Sequence, residues 1–154
     1  MPSQPSPRWP DIAGRLTSSG HVLPIRIYYE DTDFTGVVYH AAYLKFAERG
    51  RSDFLRLLGI RHYELDAGRY GDALAFVVRR MEVDFLIPAR IDDLLEVTSR
   101  VAEARGARLV LDQAIRREDA VLFTARVTVA VVGRDGRPRR LPTELAVRLS
   151  PTPV

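Results

Sequence analysis

The 154-residue chain contains no cysteine, which removes disulfides, thiolate nucleophiles, iron–sulfur clusters and cysteine-based zinc sites from consideration. It has no apolar run near the ~20 residues that a membrane helix requires, and its N-terminus lacks the apolar centre of a signal peptide. A cytoplasmic protein with no membrane span is the expectation. Lysine is almost absent, Lys45 being the only one among 23 basic residues. The arginine excess leaves a net charge of +3, but it runs through the whole chain, interleaved with acids as in Arg79-Arg80-Met81-Glu82-Val83-Asp84. Without a basic stripe or a recognition motif, nucleic acid is not an expected partner; a small anionic ligand fits the charge at least as well.

Several catalytic signatures are missing too. There is no G-x-S-x-G, H-E-x-x-H or Walker loop, and no G-x-G-x-x-G after a strand. The three histidines, His21, His40 and His62, are too scattered to read as a metal set. No metal and no nucleotide cofactor is expected. Acid/base or carboxylate chemistry with backbone assistance remains.

What is present suits one domain, long enough to bury about two-thirds of its unfolded surface without staples. Residues 1–21, rich in Pro, Ser and Gly, read as a flexible tail, and residues 22–150 as the domain. Leu23 to Glu30 reads as a strand with Ile25 and Ile27 on one face. HAAYLKFAERGRSDFLRLLG then gives the strongest helix signal. Tyr43, Phe46, Ala47, Gly50, Phe54, Leu57 and Leu58 form an apolar stripe at helical spacing, and Gly59 ends it. Gly50, a poor helix former on that stripe, implies close approach of the helix to a sheet.

From Ala73 the period becomes two, and four strand-like runs follow. In the first, Val77, Met81, Val83 and Phe85 are expected on one face, opposite Arg80, Glu82 and Asp84. Tight turns are expected at Arg105-Gly106, Glu118-Asp119 and Arg134-Asp135-Gly136, and one short helical turn after Leu141. The class is therefore α+β, a curved antiparallel sheet wrapped around one long helix. Such a sheet leaves edge strands, so self-association is expected, a homodimer at least and a homotetramer beyond it.

Residues 28–40, YYEDTDFTGVVYH, connect the first strand to that helix. Val38, Tyr39 and His40 fall at the helix start, where unpaired N–H groups and the helix dipole can hold a carbonyl oxygen that turns negative. Gly36 lets the chain pass close to a ligand, and Asp33 precedes that turn. A carboxylate beside an oxyanion-binding helix end is a working arrangement for acyl transfer. Asp33 could equally close a turn or cap the helix, and Asp31 reads as structural.

The stretch YYEDTDFTGVVYHAAYLKFAERGR resembles the signature of hot-dog-fold acyl-CoA thioesterases of the 4-hydroxybenzoyl-CoA thioesterase family, especially the Tol-Pal-associated YbgC type. The likeness continues through AFVVRRMEVDFLIPARIDDLLEV and covers about Pro24 to Pro142. It implies the hot-dog fold and hydrolysis of acyl-CoA, of short-chain or aromatic acyl groups, with acyl carrier protein as a second carrier. Position by position it makes Asp33 the catalytic carboxylate. His40 would present its backbone N–H to the thioester carbonyl and its imidazole to the site, and Tyr29 falls where the family has an active-site tyrosine. Coenzyme A is then part of the substrate rather than a cofactor. Phe34-Thr35 departs from the small residues expected there.

Arg90, Arg105 and Arg108, at strand ends or turns, are candidates for the phosphates of coenzyme A, against a reading as solvated surface. Phe54, Phe76 and Val78 are candidates for an acyl pocket, against a reading as core. Glu48 lies about 12 Å along the helix from His40, too far to share its carbonyl, and is expected to pair with Arg51 or with an arginine across a dimer. Other readings are a hydratase of the same fold, or a non-catalytic scaffold that binds acyl carrier protein at the cell envelope.

Overall fold

The computed structural model describes residues 13–151. Residues 1–12, the larger part of the expected tail, lie outside the described residues. Folded structure begins earlier than residue 22: β1 (Arg15–Thr17) pairs antiparallel with β2 (Gly20–Arg26). The reason lies in a contact that composition does not display. The Gly14 N–H donates to Asp53 Oδ2 at 2.8 Å, and His21 Nε2 lies 2.7 Å from the same oxygen.

The order continues with α1 (His40–Leu57), α2 (His62–Asp66), β3 (Ala75–Phe85), β4 (Leu94–Arg105), β5 (Arg108–Arg117), β6 (Ala120–Val132) and α3 (Thr143–Arg148). The six strands form one sheet in the order β1-β2-β4-β5-β6-β3, antiparallel at every pairing. The turns at Arg105-Gly106 and Glu118-Asp119 join β4 to β5 and β5 to β6 as expected. The short α2 carries no periodic signal of its own and is new.

α1 packs across β1, β2, β4 and β5. It buries Ala42, Tyr43, Phe46, Ala47, Gly50, Phe54 and Leu55 over Ile27, Leu95, Val97, Leu111 and Ile115, all fully buried. Burial of one large apolar side chain stabilises by about 1.5–3 kcal/mol, so this stripe is the main tie between helix and sheet. Leu55 takes the inward place expected of Leu57, which is half-buried. A small polar layer lies under the middle of the helix: His21, Ser99 and Gln113 are buried there. Gln113 Nε2 donates to Ala47 O at 2.9 Å and to Ser99 Oγ at 2.8 Å, which keeps the amide and the Ser99 hydroxyl from being buried unpaired.

Register shifts interrupt three ladders, at Val78/Arg80 in β3, Val101/Glu103 in β4 and at Leu122 in β6, opposite Ile115/Arg116. Each extra residue bends and twists the sheet around the helix. The first also changes which side chains face inward. A strict alternation puts Val77 with Met81, Val83 and Phe85. The bulge at Arg79 instead aligns Phe76 and Val78 with Met81, Val83 and Phe85, opposite inward-facing Val131, Val129, Val127, Ala125 and Phe123. Val77 faces outward and is exposed, because one inserted residue reverses every side chain beyond it.

Candidate active site

The loop between β2 and α1 is built from backbone bonds that its own polar residues stabilise. Residues Tyr29–Asp31 make one 3-10 turn. Asp31 Oδ2 accepts from the Tyr28 N–H at 2.9 Å, the structural task expected of it. Thr32 bridges Val38, the Asp33 N–H donates to Val37 O at 2.9 Å and the Gly36 N–H to Asp33 O at 3.1 Å. The result is a closed tight turn from 32 to 38. Gly36 has φ +86°, a left-handed conformation that favours glycine. A Cβ there would meet nothing within 4 Å, so its role is conformational.

Asp33 sits at the start of that turn. Its Oδ1 accepts from the Thr35 N–H at 2.8 Å and from the Thr35 hydroxyl at 2.6 Å. Oδ2 takes no hydrogen bond from the described residues. The Thr35 hydroxyl, helped by the Thr35 and Val37 backbone groups, holds the carboxyl below its ordinary value of 3.8 against the opposing effect of desolvation. Asp33 is therefore an ionised carboxylate at neutral pH with one oxygen fixed and the other open. Thr35, set aside as a departure from a small-residue pattern, is what orients it. The Asp-x-Thr spacing was the readable signal, since such a pair forms a side-chain turn.

Asp33 shares a shallow pocket of about 360 Å³ with Tyr29, Thr32, Phe34, Gly36 and Ile91. Tyr29 is exposed beside it, its phenol free of hydrogen bonds to the described residues, while its carbonyl accepts from Thr32. Phe34 projects into solvent at the tip of the turn.

The start of α1 is fixed from both sides. The Tyr39 N–H donates to Asp31 O at 2.9 Å and the Val38 N–H to Ala89 O at 2.8 Å, while no side chain caps the helix. The N–H groups of His40 and Ala41 have no acceptor among the described residues, leaving a donor pair at the positive end of the helix. Val38 is buried and Tyr39 half exposed. The His40 ring lies 4.5 Å from the Tyr39 ring and 6.1 Å, edge-on, from Phe85 at the end of β3.

A second loop braces this corner. The Ala89 N–H donates to the Tyr43 hydroxyl at 2.9 Å, and burial pushes the Tyr43 phenol up, keeping it neutral. Val37 bridges Arg90. Asp93 accepts from the Arg90 N–H at 2.9 Å and from Arg117 at 2.7 Å. Burial pushes the Asp93 carboxyl up, but these donors outweigh it and hold it below the ordinary range.

Of the expected site residues, Asp33, Tyr29 and Gly36 share one pocket; Val38, Tyr39 and His40 follow on the chain at the helix start, and Arg90 bridges Val37 between them. Arg108 is elsewhere. It opens β5, whose far end carries Arg117 beside Asp93, roughly 30 Å away at about 3.3 Å per residue. There it lies 3.6 Å from Glu103 and shares a basic recess with Arg79 and Arg80. Phe54 is core, stacked on His21 at 5.3 Å. Phe76 and Val78 line a separate cleft of about 110 Å³ between α1 and the sheet, with Glu48, Arg51 and Ser52. Arg51 does not pair with Glu48 but donates to Gln113 Oε1 at 3.0 Å, a partner 62 residues on that helical spacing cannot reveal. Among the described residues no three His, Asp or Glu side chains converge as a metal set.

Residues 35–124 match the model of the thioesterase superfamily. The chain is 42% identical over 117 residues to an acyl-CoA thioesterase, YbgC, of Haemophilus influenzae, covering 76% of this chain and 84% of that one. It is 28% identical over 134 residues to an acyl-acyl carrier protein thioesterase of Arabidopsis thaliana chloroplasts, covering 86% of this chain and 68% of that one. A probable thioesterase from Bartonella henselae superposes with a TM-score of 0.77 at 48% identity, over 79% of this chain and 98% of its own. The sheet wrapped on one helix is the hot-dog fold of these proteins.

Proposed function

The chain belongs to the thioesterase superfamily and is a thioester hydrolase, and on that premise we propose that it cleaves acyl-CoA with Asp33 as the working carboxylate. The overall change is R–CO–S–CoA plus water to R–COOH plus CoA–SH. The observation that carries the assignment is the Asp33 carboxylate, ionised, with Oδ1 held by Thr35 and Oδ2 free. An ionised oxygen suits attack on the thioester carbonyl: a C–O bond forms, the C–S bond breaks, the thiolate leaves and takes a proton, and water then opens the mixed anhydride. Held instead against a water molecule, the same oxygen would act as general base. The N–H groups at the start of α1, those of His40 and Ala41, would receive the developing oxyanion. Tyr29 and the His40 ring would line the reacting end, with Gly36, Val38 and Tyr39 shaping the walls and Arg90 near enough for an anionic part of the substrate. The reaction asks for no metal and no cofactor besides the coenzyme A carried by the substrate, and the reading puts the enzyme in the cytoplasm with that substrate. The same chemistry would serve an acyl group on acyl carrier protein.

The site is open on a single chain, and a second copy would close it. Among the described residues β3 is a sheet edge, paired only with β6, and Val77, Val78, Phe85, Leu86 and Ile87 near it are exposed, a surface that favours pairing. Antiparallel pairing of β3 with its copy about a twofold axis near Arg80 would set the Phe85 end of one strand against the Ala75 end of the other. His40 rests on Phe85, and the 110 Å³ cleft is lined by Phe76 and Val78. Each helix start would then face the cleft of the partner, and Arg108 of one chain could approach a coenzyme A bound at the other. Two such dimers would make the tetramer.

The test is thiol release from acyl-CoAs of graded length by the unaltered chain and by Asp33→Asn. We expect turnover by the former and a loss of at least about a hundredfold in the latter. Full activity in Asp33→Asn would overturn the assignment of Asp33. An inert unaltered chain would point to the scaffold that binds acyl carrier protein.

A further inference from the structure

The cleft beneath the second half of α1 contains a cation that the reaction above does not use. Arg51 is half-buried there, and its guanidinium has five N–H donors, of which the described residues engage one, through Gln113 Oε1. That single bond is well fixed. Gln113 Nε2 is committed to Ala47 O and Ser99 Oγ, so the amide can offer only its oxygen to Arg51. Nearby acids do not neutralise it. Asp53 is taken by His21 and Arg56, and Glu48 acts on Arg51 only from beyond ion-pair range, opposing the downward pull of burial on the guanidinium. A charge withdrawn from water, held by a neutral amide and facing an apolar-walled cleft, is set up to receive an anion.

We propose that this cleft takes the remote end of the acyl group and that Arg51, with the Ser52 hydroxyl beside it, selects acyl groups ending in a carboxylate. The proposal rests on the thioesterase reading and on the paired assembly. Arg51 lies eleven residues after His40, about 17 Å along the helix at 1.5 Å per residue, so the reacting carboxylate belongs to the partner. The cleft is small, about 110 Å³, which fits a short chain. His62 stands edge-on to Phe76 at 6.2 Å on the same cleft, and Glu48 lies exposed at its solvent side. Water screens the exposed carboxylate more than the half-buried guanidinium, so the cation sets the preference.

The experiment compares glutaryl-CoA, which ends in a carboxylate, with hexanoyl-CoA, which ends in a methyl group. Binding is measured by calorimetry on the Asp33→Asn chain, so that it does not depend on turnover, with and without Arg51→Met. Glutaryl-CoA should bind at least about tenfold more tightly, and Arg51→Met should abolish that preference while hexanoyl-CoA binding persists. Equal binding, tighter binding of hexanoyl-CoA, binding of neither, or a preference that survives Arg51→Met would overturn the proposal. If Arg51→Met does not fold, the preference of the chain with Arg51 decides alone. Failure of the unaltered chain to hydrolyse any thioester would sink the thioesterase reading separately, leaving this binding comparison intact.

Discussion

Replacing Gly50 by alanine should destabilise the protein, although helix propensity alone predicts the opposite. In an exposed helix the change would stabilise by about 1 kcal/mol. Here a Cβ would lie 2.7 Å from Val97 Cγ1 and 3.3 Å from both Gln113 Nε2 and Ser99 Oγ. Optimal carbon contacts are about 3.5–4.0 Å, so the helix or the strand must yield by about 1 Å. Val97 is fully buried, and its β-branched side chain is restricted at χ1. Overpacking of this kind costs about 1–3 kcal/mol. Lifting the helix also stretches the bond from Gln113 Nε2 to Ala47 O, one of three that fix the amide, worth about 1 kcal/mol. Set against the propensity gain, the net loss is about 2 kcal/mol, a fall in Tm of about 4–8 °C for a chain of this size. Urea and thermal unfolding at matched protein concentration would measure it, concentration being fixed because association shifts apparent stability. A Gly50→Ala protein as stable as the original, or more so, would refute the close approach of α1 to β4.

Two further substitutions probe charge. Thr35→Val removes the hydroxyl that contributes most to lowering the Asp33 carboxyl. Activity that needs the carboxylate fails as pH falls through its pKa, so the acid limb of kcat/KM should move upward toward the ordinary value, and an unmoved limb would separate Asp33 from the rate. Asp53→Asn tests the clasp that ties β1 to α1. Burial pushes the Asp53 carboxyl up, but His21, the Gly14 N–H and Arg56 outweigh it and hold it below 3.8. A group lowered in the folded state contributes stability above its unfolded pKa and loses it as pH falls through the folded one. The variant should therefore lose about 1–3 kcal/mol at pH 7, with the gap to the original closing below about pH 4. A pH-independent gap in urea midpoints would contradict this.

Most of the fold was legible because its signals are local and periodic. The α1 stripe and the four long strands follow from spacings of a few residues, and the turn at Gly106 from its own residue types. The β1 strand was not legible, because the contact that holds the chain just before it, Gly14 N–H to Asp53 Oδ2, spans 39 residues. The inward face of β3 was misassigned up to Arg79, where a bulge that leaves no mark in the hydrophobic pattern reverses the alternation.

The candidate site divides the same way. The turn at Asp33 could be read from residue order, since Thr35, Gly36 and the Val37 carbonyl act on it within four residues, whereas the distant bonds from Val38 to Ala89 and from Val37 to Arg90 that hold it against the helix start could not. That Arg51 answers to Gln113 rather than Glu48, and that Arg90 stands beside the Asp33 turn while Arg108 sits at the other end of the sheet, follows from the folded arrangement alone. The physical reason is reach. A hydrogen bond within a turn is fixed by local dihedral angles, whereas one across a sheet depends on the register of every strand between.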